Sequence, residues 1–436
     1  MTSIRALALP TMMFAAMLAT TAAHAAVWPG AVPCAATLQE CIDAVPAAET
    51  VLVATDTPVV EDLSITKSLT LTRQPGFSPT ISGQMLLASG ASSTSITLSG
   101  LAIEGPVRAV ARAGDLELHV LGNSISSNVA NRVAVELTSD PILSPAGDLT
   151  AEVEGNDIRV TGASADDSCG GVVVLASTSP QTFAEIVHNT LFVSGCGRGV
   201  GIGAATGVGR VTTVDVLRNR LLVPNTGFGI SLQNSAPGPA STLSGRIVGN
   251  LVHGEFFGVG VNVVDAAGGT LTAQVSNNTI VEHDTGMLVI ANAGDPMTGE
   301  VSNTIVAFNT TEGLRIDAEA VLNCHDLVFG NGVDSFVAGP GTIFTDPQFV
   351  GGSNFHLLPG SPAIDAGAND TVPGDVALDL DGAPRIQGGM VDIGAFEEPA
   401  SGSSPIVAVP ALSSLGLVLL PLALAGAALY LLRRGR

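Results

Sequence analysis

Apolar and polar residues alternate with a period of two along most of this chain, in short runs such as Leu149-Thr150-Ala151-Glu152-Val153 and Val211-Thr212-Thr213-Val214-Asp215-Val216. Glycine and asparagine turns separate the runs, which is the pattern of half-buried strands. Helical spacing is confined near the start to Leu38, Cys41, Ile42 and Val45, ahead of Pro46, and predicts one short helix. The 51 glycines penalise helix throughout the rest.

The runs repeat. An asparagine, any residue and an apolar residue recur at Asn123, Asn156, Asn189, Asn219, Asn250, Asn278 and Asn303, with spacings of 33, 33, 30, 31, 28 and 25. A glycine followed by alternating apolar residues recurs at Gly171, Gly199, Gly227, Gly258, Gly286 and Gly313. A unit with two or three short strands cannot bury its apolar face alone, but stacked units form one continuous core. The expected fold is therefore all-β: a right-handed, single-stranded parallel β-helix of roughly ten coils. Each asparagine is expected to take left-handed geometry at a turn and to bond the asparagine one coil away.

A rod of parallel strands needs covered ends. The short helix is expected to cap the first coil. The Pro/Gly/Asp-rich stretch that follows the last repeat is expected to close the other end.

The two chain ends carry different signals. Arg5, the apolar run Ala6–Ala19 and the tripeptide Ala23-His24-Ala25 have the layout of a secretory signal cleaved before Ala26. Leu415–Leu432 is a run of 18 uncharged residues followed by Arg433-Arg434-Gly435-Arg436, which predicts a C-terminal transmembrane helix with only its tip inside. The expected organisation is a signal peptide over 1–25, an N-terminal cap over 26–50 and β-helix repeats over 51–338. A closure over 339–398, a linker over 399–408 and a sorting signal with transmembrane helix over 409–436 complete it.

Charge narrows the partners. With 39 acidic against 17 basic residues the formal net charge is −22, which argues against nucleic acid and suits a self-repelling surface protein. In an exported chain the five cysteines are read as disulfides first. Cys34 and Cys41 sit seven apart beside the short amphipathic stretch, and Cys169 and Cys196 lie about one repeat apart, so that both are expected to pair and Cys324 is left over.

The stretch beyond the repeats resembles the bacterial choice-of-anchor Q surface proteins, whose β-helix is similar to that of pectate lyases. The resemblance rests on Thr345-Asp346-Pro347-Gln348-Phe349, Phe355-His356-Leu357, Ser361-Pro362-Ala363-Ile364-Asp365-Ala366-Gly367, Asp379-Leu380-Asp381-Gly382-Ala383-Pro384-Arg385 and Val391-Asp392-Ile393-Gly394-Ala395-Phe396-Glu397. Val409, Pro410, Leu412, Ser413 and Gly416 resemble an IPTL-type sorting signal, which implies an envelope sorting protease as a partner. The resemblance implies a location at the cell envelope, with the membrane reached through the C-terminal helix.

The fold's other association is polysaccharide, so an enzyme reading is weighed beside a noncatalytic role in adhesion, matrix or display. A lyase needs gathered carboxylates for Ca²⁺ and an arginine base, and a glycosidase needs two facing carboxylates. Aromatic platforms are scarce: Tyr430 lies in the terminal apolar run, Trp28 follows the signal, and Phe228, Phe256 and Phe257 read as core. No cofactor or metal is expected. Ca²⁺ is weighed only at Asp379-x-Asp381-Gly382, which lacks the downstream glutamate of a twelve-residue loop and which the resemblance explains as a turn. One polar cluster is a candidate site. Glu255 follows Asn250, and His283 follows Asn278, by the same five residues, with Asp284 adjacent. A stacked carboxylate and imidazole can move a proton or hold a cation, and equally form a solvated turn.

Overall fold

The computed structural model describes residues 25–128, 132–139, 146–164, 168–234, 241–266, 268–292 and 296–399. The signal peptide, apart from Ala25, and the sorting signal with its apolar run lie outside the described residues. Among the described residues no helix is long and apolar enough to cross a membrane.

Among the described residues, three parallel sheets of 12, 11 and 11 strands run the length of the rod, each strand bonded to its counterpart one coil away. One coil reads Thr242–Val248 in the first sheet, Leu251–His253 in the second and Val259–Asp265 in the third. Alternation sets which side chains face in: Leu116, Leu118 and Val120 are buried and Glu117 between them is exposed. Stacking in register then brings Leu118 against Ala151, Ala184 and Val214, so that period two within a coil becomes a continuous core along the rod.

The asparagine ladder is present with a different geometry from that expected. The left-handed position is the residue before each of the first six asparagines, taken by Gly122, Gly155, His188, Arg218, Gly249 and Asn277, whereas in the seventh coil it is Asn303 itself. The asparagine is thereby free to turn inward. Asn219 Oδ1 accepts the Asn189 N–H at 2.9 Å, and Asn219 Nδ2 donates to the Ile186 carbonyl at 2.7 Å. The ladder runs from Asn123 to Asn278, then through Thr304 and Asp326. Asn303, the seventh expected rung, is one residue out of register because Thr279 pairs with Ile305. The glycine marker also mixes two rows: Gly171 aligns with Gly201, whereas Gly199 aligns with Cys169.

At the N-terminus the helix Leu38–Ala44 buries Leu38, Cys41 and Ile42 over the first coil, with Thr37 as its cap. Glu61 accepts the N–H groups of Leu38 at 2.9 Å and Gln39 at 3.1 Å, which ties helix to rod. The Cys34–Cys41 disulfide joins the cap loop to the helix. Cys169 and Cys196 are also bonded, with a Cα–Cα distance of 5.3 Å. They do so across registers, from the end of a second-sheet strand to the turn entering the third sheet of the coil before. Cys324 is free.

The C-terminal stretch does not simply close the end. Ile343 continues the second sheet beside Leu327, and the chain then folds back along the flank of the rod. Phe355, Leu357, Ala363, Leu380, Ile393 and Phe396 pack on Val281, Ile305, Ala307 and Leu327 of the second sheet. Val376 reaches further back, to Leu217 and Val248. The strands beneath explain why: Thr279-Ile280-Val281 and Ile305-Val306-Ala307 are buried on both faces, whereas the earlier Ala102-Ile103-Glu104 alternates.

Candidate functional site

The turns hold the expected cluster apart. His283 is fully buried; its backbone N–H donates to Asn309 Oδ1 at 2.9 Å and its Nδ1 faces the Phe257 carbonyl at 3.2 Å. Burial pushes its pKa down to about 4, so the ring is neutral at physiological pH. Gly254 lies against it: a Cβ there would sit 2.1 Å from Nδ1. Glu255 is exposed on a turn with φ of 52°. Asp284 is engaged by the Thr311 hydroxyl at 2.5 Å. The imidazole that does meet a carboxylate is His253, whose Nε2 lies 2.8 Å from Glu282 and whose ring packs edge-on against Phe355.

The acidic residues of the closure serve the fold. Asp379 Oδ1 accepts the N–H groups of Asp381 at 3.0 Å and Ala383 at 2.6 Å, and its Oδ2 accepts that of Glu397 at 2.9 Å. Asp381 pairs with Arg220 and with His356. Arg385, 1% exposed, donates to the carbonyls of Gly394 and Ala395 and lies 3.7 Å from Glu397. Burial raises Glu397 to about 9 and Asp392 to about 6. These oxygens face protein donors rather than a shared cation position. Among the described residues no three His, Cys, Asp or Glu side chains gather to hold a metal ion.

A charged row that the sequence reading missed runs along the outer face of the first sheet. His119, Glu152, Glu185, Asp215 and Arg246 stand in register on consecutive coils. His119 Nδ1 lies 2.6 Å from Glu152. Burial, then Asp215 and Glu152, hold the Glu185 carboxyl above its ordinary range. Arg246 is gripped by Asp215, with its Nε at 2.8 Å, and by Asp375 of the closure at 2.7 Å. The signal was available: each of these residues lies four before a ladder asparagine.

The outer face of the third sheet is the opposite in character. Its middle outward row reads Val173, Gly203, Ser231, Asn262 and Leu288, without a charge over five coils. A shallow hollow of about 250 Å³ lies between Leu175, Arg198, Val200, Phe228 and Gln233. A second, of about 470 Å³, joins it at Phe228 and is walled by Phe256, Phe257 and Asp284 over Gly227 and Gly258. The phenylalanines expected in the core are therefore outside it. Phe228 stands in an outward row beside Val200 and Val259, and Phe256 is 55% exposed on a turn with φ of 65°.

Among solved structures the chain is similar to a pectate lyase, Pel9A, at 13% identity and a TM-score of 0.46, covering 83% of this chain and 90% of that one. It is also similar to a PL6 family alginate lyase, AlyGC, at 13% identity and a TM-score of 0.33, covering 81% of this chain and 59% of that one. No protein-family model and no curated protein matches the chain.

Proposed function

We propose that the chain is an exported rod held at the cell envelope, serving noncatalytically in adhesion, matrix or display. The observation that carries the reading is the outer face of the third sheet, whose central rows hold neither acid nor base over five coils and whose hollows meet charge only at their walls, in Arg198 and Asp284. Proton transfer needs such groups within hydrogen-bond reach of a bound substrate. The neutral, enclosed His283 and the hydroxyl-bound Asp284 support the same reading. Two disulfides fit an oxidising compartment.

Export through residues 1–25, the choice-of-anchor Q relationship and retention by the segment 409–436 belong to this proposal. They are supported by the apolar runs and the five motifs. Cells expressing the full chain and a chain ending at Ser404 test it: the first is expected in the membrane fraction and protease-accessible from outside, the second soluble. A soluble full chain, or a membrane-bound truncation, overturns the anchor.

One observation favours a second reading, a β-helix glycan hydrolase or lyase. The row of Glu152, Glu185 and Asp215 with Arg246 places carboxylates and a guanidinium on consecutive coils. Incubation with acidic and neutral polysaccharides, with product detection, separates the readings. Products that disappear with Glu185→Gln would establish the enzyme.

A further inference from the structure

We propose that the third sheet is a docking face for a second copy of this chain, with the two rods antiparallel about a twofold axis that passes through Ser231 along its strand. The inference is independent of whether the rod is catalytic.

The face is open and long enough. The closure lies on the second sheet and the first carries the charged row; on the third, Ser231 and Asn262 of the middle row are buried among their neighbours, and the larger residues around them, Leu175 and Phe228, carry the accessible surface. Over the five middle coils its side rows are as uncharged as its centre, with Val200, Phe228 and Val259 on one side and Leu175, Gln233 and Ile290 on the other, and they end in Glu312 and Asp317 beside Arg315. Leu175 is 37% exposed. On a chain with 39 acidic and 17 basic residues, this is where two copies approach without mutual repulsion. Seven coils at ~4.8 Å and seven strand residues at ~3.3 Å outline about 34 by 23 Å. That is roughly 780 Å² per copy, close to the ~800 Å² each partner gives to a standard interface.

Charge decides the orientation. The uncharged middle row is symmetric about Ser231 and ends in Glu136 on one side and Arg315 on the other. A twofold axis along the strand reverses the order of coils and keeps each row facing itself. Phe228 then meets its own counterpart beside the axis, Val173 meets Leu288 of the second copy, and Leu175 meets Ile290. Glu136 meets Arg315 at both ends of the interface. The other face-to-face twofold, along the rod, would set Glu136 against Glu136 and Arg315 against Arg315. Both groups are half-buried and each has a local ion partner, Arg108 at 3.4 Å and Asp317 at 2.6 Å, so that the antiparallel pairing joins four alternating charges at each end. The contact is isologous and closed, which gives a dimer and not a fibre.

Sedimentation of the full-length chain in density-matched detergent, across a concentration series, tests the proposal through charge reversal. The parent is expected to dimerise. Glu136→Arg and Arg315→Glu are each expected to weaken association by about tenfold, and the double variant to restore it. Unfolding midpoints equal to the parent's show that the substitutions leave the fold intact. A parent that stays monomeric at the highest concentration, single variants that associate as the parent does, or a double variant that stays dissociated would each overturn it.

Discussion

Asp326 Oδ1 accepts the Thr304 N–H at 2.9 Å, in the ladder position that asparagine holds in the coils from Asn123 to Asn278. Each asparagine amide also donates to a carbonyl of the previous coil, as Asn278 does to Ile247 at 2.7 Å. Only a protonated Asp326 can imitate that. Its other oxygen is buried without a partner, and burial raises its pKa from 3.8 to about 8.

The pH dependence follows. The folded state holds the proton more tightly than the unfolded one, so the stabilisation is complete below about pH 4 and is lost as pH rises towards about 8. Asp326→Asn supplies the amide permanently. Thermal unfolding at pH 4.5 and 8.5 is expected to show a larger loss in the parent than in the variant, by on the order of a few kcal/mol. Equal losses would show that Asp326 is ionised in the fold.

Asn219→Leu is expected to destabilise the rod by about 1–3 kcal/mol. It removes the acceptor of both the Asn189 N–H and the Asn189 Nδ2, at 2.9 and 3.0 Å, and leaves those donors buried. Asn250 Oδ1 keeps the backbone N–H of residue 219, so the damage is directed towards the N-terminal neighbour. Denaturant midpoints check the size, and amide exchange at residues 156–189 against 250–278 checks the direction.

Arg385→Met is expected to loosen the closure, because it strands the Gly394 carbonyl, takes one of two donors from that of Ala395, and leaves the acidic cluster of Asp379, Asp392 and Glu397 without its buried cation. Leaving a buried carbonyl without its donor costs about 1–3 kcal/mol. Limited proteolysis should then cut within residues 345–398 while the coils before Leu217 stay resistant. Uniform resistance would mean that packing of Phe355 and Ile393 alone holds the flank.

Replacing Cys169 and Cys196 together by serine is expected to cost about 3 kcal/mol, from the freedom the unfolded chain regains over a separation of 27 residues. Nonreduced peptide mapping of the parent should recover the two as one linked pair. Free thiols at both positions would contradict the pairing.

The alternating runs and the recurrent asparagines determined the solenoid by themselves, because strand period and turn chemistry are local and every coil repeats them. Leu38, Cys41 and Ile42 likewise announced their helix. Register was not local. Whether Asn303 or Thr304 takes the ladder position depends on how Ile305 meets Thr279 one coil away, and a one-residue choice exchanges inside for outside. The same holds for chemistry. His119, Glu152, Glu185 and Asp215 are far apart in sequence and become neighbours only because coils of 33, 33 and 30 residues stack with their turns aligned. His283 and Glu255 share a phase, but the left-handed turn at Glu255 and Phe256 sends one side chain to solvent while the coil encloses the other. The family-like motifs were legible as residues and not as roles. Only the folding of the closure back onto the second sheet showed that Asp379, Arg385, Asp392 and Glu397 bond one another, since a buried charge is tolerated only where other parts of the chain bring it partners.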